Sequence, residues 1–173
     1  GLDGLAAGNC LLSLVLIAVL SLQAQQVEFA ILALAAVGAL LGFLRFNTHP
    51  AIVFMGDTGS QFLGFLTVSL AILATQGETA PYSPLLPLLI AGLPVLDTCM
   101  VMGIRLYQGR FIFSPDRNHI HHQLLALRFH HHEVVAVLYL LATLLAVLAY
   151  SLRYAADSLL LAGYVLFCGV LLG

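Results

Sequence analysis

The chain has 173 residues, 61% of them apolar, and carries six arginines, no lysine and eight acidic residues. Soluble domains carry about a quarter charged residues; at 8% charged and a mean hydropathy of +1.04, this chain has no surface suited to water. A net charge of −2 and a pI near 6.4, with no basic cluster outside one loop, exclude a nucleic-acid partner.

The runs that carry few charges predict membrane-spanning helices over 6–22, 27–44, 59–75, 85–102, 134–152 and 155–172. Each is close to the roughly 20 residues that a hydrocarbon core requires. The expected fold class is all-α: one polytopic transmembrane helix bundle of about six spans, occupying residues 1–173, with long loops over 45–58 and 103–133. The chain begins with Gly1 and no charged segment precedes its first apolar run. That start is unlike a signal peptide and reads as the C-terminal part of a longer membrane domain. Cys10, Cys99 and Cys168 each stand alone in an apolar run and read as inert thiols.

Alternating spans place Arg45, Arg105, Arg110, Arg117 and Arg128 on one side and Arg153 on the other, which makes the first side cytoplasmic. Asp3, Asp57, Asp116 and all seven histidines share that side, so any chemistry is expected there.

In chain order, Asp3-Gly4 is a common turn dipeptide and says little alone. The stretch from Asn47 through His49-Pro50, Phe54-Met55-Gly56-Asp57-Thr58-Gly59 and Ser60 is more informative. Asp57 or Thr58 suits the N-cap of the third helix, with Gly56 and Gly59 permitting tight turns. The same geometry offers free N–H groups to a phosphate, and Asp57 could hold Mg²⁺ against it. Asp97, three residues after Pro94, is the one charged residue set well inside a predicted span, Glu28 and Asp157 lying within the first three residues of theirs. It reads either as a hydrated aspartate near a helix end or as a functional group. In the fourth loop, Ser114-Pro115-Asp116 predicts a helix start, and continuing that helix puts Ile120, Leu124 and Leu127 on one stripe. On that wheel His121 lies beside Arg117 and could donate to an anion with it, whereas His119 and His122 share the polar face. The three histidines do not converge on one metal there. His130, His131, His132 and Glu133 read as the solvated entry of the fifth span.

Three segments together resemble the polyprenyl-phosphate N-acetylhexosamine-1-phosphate transferases, glycosyltransferase family 4. They are Gly1-Leu2-Asp3-Gly4-Leu5-Ala6, Asn47 with Phe54 to Ser60, and Pro115-Asp116-Arg117-Asn118-His119-Ile120-His121-His122. The last is similar to the undecaprenyl-phosphate N-acetylglucosamine-1-phosphate branch. Family members carry an Asn and a first Asp before the position of Asp3, and an acidic pair in an earlier loop, which this sequence does not contain. The resemblance implies transfer of a sugar 1-phosphate from a UDP-N-acetylhexosamine to undecaprenyl phosphate with release of UMP, the first step toward a lipid-linked envelope glycan. It places the protein in the bacterial inner membrane with its site facing the cytoplasm. It implies Mg²⁺, with Mn²⁺ as a substitute, on Asp57, which is expected to be catalytic together with His119 and His121. Asp3, Asn47, Phe54, Arg117 and His122 are expected to bind substrate. Membrane lipid surrounds the bundle, and a homodimer is compatible with it.

Two other readings compete. A metal-ion transporter with a histidine-rich loop needs several polar groups facing one another in mid-span, and only Asp97 is available. A purely structural subunit gives no reason for aspartates, glycine turns and histidines to gather on one face.

Overall fold

The computed structural model describes residues 2–76, 80–109, 111 and 119–172. It contains helices α1 (Leu5–Gln23), α2 (Val27–Asn47), α3 (Gly56–Gln76), α4 (Leu86–Ile90), α5 (Gly92–Tyr107), α6 (Ile120–Ala126), α7 (His131–Ser151) and α8 (Asp157–Leu172), with no strand among the described residues. The protein is an all-α membrane bundle. Helices α1, α2, α3 and α7, of 19 to 21 residues, are long and apolar enough to cross a bilayer, and α8 is a shorter apolar helix.

Helix α1 is the axis, packing on α2, α3 and α7. Its Leu14, Ile17 and Leu20 are fully buried, while Phe65 of α3, Leu140 of α7 and Val170 of α8 are exposed, as side chains facing lipid would be. Helices α1 and α7 meet closely at Gly8. A Cβ placed on Gly8 would lie 2.0 Å from the Tyr139 hydroxyl oxygen and within 2.6 Å of its ring, so only glycine admits that ring. The Tyr139 hydroxyl then donates to the carbonyl of Gly4 at 2.7 Å, tying the chain start to α7.

The predicted span over 85–102 is not one helix. It divides into α4 and α5 at Ala91, because Pro94 has no N–H to give the carbonyl of Ile90 four residues earlier. Ser13 of α1 supplies the missing donor, its Oγ lying 2.9 Å from that carbonyl oxygen. A break in the apolar interior is thereby satisfied from a neighbouring helix, as a membrane requires. Tyr164 of α8 donates to the Gly92 carbonyl on the other side of the break at 3.0 Å.

Two further expectations change. Helix α3 begins at Gly56, so Asp57 occupies its first turn and is not the N-cap. Gly56 and Gly59 both have local structural work there: Gly56 adopts a φ of +68°, and Gly59 lets Met55 fold back over the turn, where a Cβ would meet Met55 Cγ at 2.6 Å. The helices also extend into the expected loops, leaving 48–55 between α2 and α3, while α5 runs to Tyr107 and α7 starts at His131.

Candidate active site

At the end of the bundle where α1, α3 and α7 begin and α2 and α5 end, the segment before α1 is held by polar contacts from distant parts of the chain. Asn47, buried at the last turn of α2, accepts from the Gly4 N–H at 3.1 Å and donates to the Val53 carbonyl at 2.9 Å. One amide therefore fixes both the chain start and the loop that carries Phe54. The Asp3 carboxylate accepts from the Ala51 N–H at 3.2 Å and lies 3.0 Å from His49 Nδ1, while the Asp3 N–H donates to His131 Nε2 at 3.1 Å. The hydrogen bonds from His49 and Ala51 hold the Asp3 carboxyl below the usual carboxylate range.

A second group forms where α5 meets α6. Asp97 Oδ1 accepts from the Ile120 N–H at 2.7 Å, and Oδ2 lies 2.8 Å from His119 Nδ1. The aspartate thus caps α6 from another helix, a role that neither hydration nor its own helix would reveal. His119 is the N-cap residue of α6, with extended backbone (φ −60°, ψ 148°). A helix continuing unbroken from Ser114 is therefore not formed, and the expected wheel does not apply across His119. Ser114, Pro115, Asp116, Arg117 and Asn118 lie outside the described residues. Leu127 follows the end of α6 and is exposed, so the expected stripe is reduced to buried Ile120 and half-buried Leu124. Instead of spreading around a helix, the rings of His119 and His121 stack with centroids 5.6 Å apart, and His122 lies 4.2 Å from His121. Burial, reinforced by neighbouring His122, pushes His121 down to about 4, so its imidazole is neutral at pH 7.

A cavity of about 610 Å³ opens beside the second group. Leu2, Leu5, Leu93 and Leu138 give it apolar walls, and Asn9, Ser60, Asp97, Thr98, His119 and His121 place polar atoms along them. Asp57 stands one helical turn before Ser60, whose hydroxyl donates to the Asp57 carbonyl at 3.0 Å. Of the predicted residues, the structure gathers Asp3 with Asn47, and His119 with His121 and His122. Asp57 and Phe54 sit apart from both groups and are exposed, Phe54 strongly so at 71%. His131 and Asp97 are additions. Asp97 carries a signal in the sequence, a carboxylate well inside a span beside a proline, which reads as either hydrated or functional, whereas His131 had no local signal.

The profile described as Glycosyl transferase family 4 matches residues 1–75. A relative from Bacillus subtilis (strain 168), named probable undecaprenyl-phosphate N-acetylglucosaminyl 1-phosphate transferase, is 39% identical over 155 residues, covering 90% of this chain and 43% of the relative. Over residues 1–75 the chain resembles glycosyl transferase family 4. Other relatives include the undecaprenyl-phosphate alpha-N-acetylglucosaminyl 1-phosphate transferase of Escherichia coli (strain K12), 34% identical over 89% of this chain and 43% of its own length. The phospho-N-acetylmuramoyl-pentapeptide-transferase of Caldicellulosiruptor bescii is 36% identical over 88% of this chain and 46% of the relative. The chain spans less than half the length of these curated relatives.

Proposed function

We propose that this chain supplies part of the site of a phosphoglycosyl transferase that moves N-acetylglucosamine 1-phosphate from UDP-N-acetylglucosamine to undecaprenyl phosphate and releases UMP. The observation that carries the reading is the 610 Å³ cavity, with apolar walls from α1, α5 and α7 and polar atoms from Asp97, His119 and His121 at one end of the bundle. A reaction between a water-soluble nucleotide and a lipid phosphate needs such a boundary cleft. The relatives' names supply the lipid and the transferred group.

In this reading an oxygen of the lipid phosphate attacks the sugar-bearing β-phosphorus of the nucleotide. The bond from that phosphorus to the bridging oxygen breaks, and UMP leaves with the electron pair. Because the attacking oxygen is already anionic, the chain's task is to position two anions and offset their charge. His119 and His121 can donate ring N–H groups to phosphate oxygens, with Asp97 fixing the orientation of His119. Arg117 and His122 are assigned to the same anions, and Asp3, Asn47 and Phe54 to the nucleotide or its sugar. The single exposed carboxylate of Asp57, at a helix N-terminus, fits Mg²⁺, which commonly takes one or two carboxylates and completes its shell with water and substrate phosphates. When bound there, Mg²⁺ (or Mn²⁺) would neutralise charge developing on the pyrophosphate. The site faces the cytoplasm of a bacterial inner membrane, where UDP-sugars are available.

The test uses the longer protein that contains this chain, assayed for Mg²⁺-dependent UMP release from UDP-N-acetylglucosamine and undecaprenyl phosphate. Asp57→Asn is nearly isosteric and should lower turnover at least about a hundredfold, the scale of losing one transition-state electrostatic contact. Near wild-type turnover of that variant at saturating Mg²⁺ would remove Asp57 from the site.

A further inference from the structure

Asp3, His49 and His131 come from the segment before α1, the loop after α2 and the first residue of α7. Each offers one ligand atom, and the three atoms lie within 4.8 Å of one another. Asp3 Oδ2 is 3.0 Å from His49 Nδ1, and the His49 and His131 rings stack with centroids 4.3 Å apart and an interplanar angle of 21°. Tetrahedral zinc, with bonds of about 2.0–2.2 Å, holds its ligand atoms roughly 3.3 Å apart. Closing this trio onto an ion therefore needs small side-chain rotations and no movement of a helix.

We propose that Asp3, His49 and His131 form a binding site for Zn²⁺ or a similar divalent transition ion, separate from Asp57, with water completing the coordination. Two imidazoles and a carboxylate match zinc-class ions, whereas the oxygen-only preference of Mg²⁺ does not use them. Asp3 is oriented by the Ala51 N–H, the kind of outer contact that fixes a ligating carboxylate. The side chain of His49 is half exposed and that of Asp3 about a fifth, which leaves a way in for the ion and room for its water. Binding replaces two hydrogen bonds: His49 gives up the proton shared with Asp3, and His131 Nε2 turns from the Asp3 N–H to the metal. Among the described residues no other trio of His, Cys, Asp or Glu, the histidines at 119, 121 and 122 included, brings its ligand atoms within 4.8 Å of one another. The inference does not depend on the transferase reading.

The experiment takes the full chain, purified in detergent and stripped of metal, and titrates Zn²⁺ against a chromophoric chelator, with the Co²⁺ visible spectrum as a second readout. One tight equivalent per chain is expected, with the Co²⁺ absorption of a nitrogen-ligated site of low coordination number and a raised Tm. His131→Gln and His49→Gln should each weaken Zn²⁺ at least about tenfold, since even outer-contact losses cost that much. His132→Ala, on the same helical turn, should bind as wild type. Circular dichroism of the metal-free variants separates loss of ligand from loss of fold, and His131→Ala provides an independent truncation at the same position. Absence of a tight equivalent in the wild type, wild-type affinity in folded His131 variants, or an equal loss in His132→Ala would each overturn the proposal.

Discussion

Replacing Gly8 by alanine tests the packing that positions the chain start. The added Cβ would lie 2.0, 2.2 and 2.6 Å from Tyr139 Oη, Cζ and Cε1, all below any tolerable contact. These atoms belong to a rigid ring whose hydroxyl is tethered to the Gly4 carbonyl, so no flexible tip can swing aside cheaply. Overpacking costs about 1–3 kcal/mol, and losing the Tyr139 hydrogen bond adds about 1 kcal/mol. The gain in helix propensity from glycine to alanine returns about 1 kcal/mol. The net loss of about 1–3 kcal/mol should lower the Tm of the detergent-purified chain by roughly 3–10 °C, followed by circular dichroism. A paired change, Tyr139→Ala, removes the ring; in that background Gly8→Ala should cost nothing further or should stabilise, giving a coupling of about 1–3 kcal/mol in the cycle. An unchanged or higher Tm for Gly8→Ala alone would refute the claim that this glycine is required by the ring.

Asp97→Ala should remove the cap of α6 at a cost of about 1–3 kcal/mol, seen as faster amide hydrogen exchange across residues 120–126, with Asp97→Asn milder because it keeps an acceptor. Stability should fall as pH drops from about 6.5 toward 4, because the unfolded chain protonates His121 in that window while the folded chain stays neutral. Above pH 6.5 the dependence from this group vanishes; Tm measured against pH should flatten in His121→Gln, and an unaltered profile would contradict the shift. In a background lacking Cys10, Cys99 and Cys168, a cysteine at Gln25 should react with an impermeant thiol reagent in intact cells and one at Gln108 should not, while the reverse pattern would invert the orientation.

The bundle was largely legible from apolar runs, since a bilayer imposes both a length and a composition on each helix. Helices α1, α2, α3 and α7 begin and end within three residues of the expected limits, the largest differences being at ends where polar residues extend a helix beyond its apolar stretch. His130 and Glu133 show this at α7, where a capping box starts the helix three residues before the apolar run. The break at Ala91 was foreshadowed by Pro94, but its satisfaction by Ser13 depends on a contact spanning 77 residues. The site was legible as a set of motifs but not as a constellation. Asn47 carries the signature of its segment, yet its two hydrogen bonds, to Gly4 and Val53, follow from packing. His131 looked like a solvated helix entry, and no spacing rule joins it to Asp3 across 128 residues.

That last separation has a consequence for how the chain is made. Ribosomes add about 5–20 residues per second, so His131 enters the growing chain some 6–26 s after Asp3. For the later part of that interval, once Ala51 has been added, the chain start has its loop partners His49 and Ala51 but neither His131 nor the Tyr139 hydroxyl. The pocket wall contributed by Leu138 is equally missing. Insertion of α7 is therefore the event that completes this end of the bundle, and a nascent chain stalled before it would present α1 with one side still open to lipid.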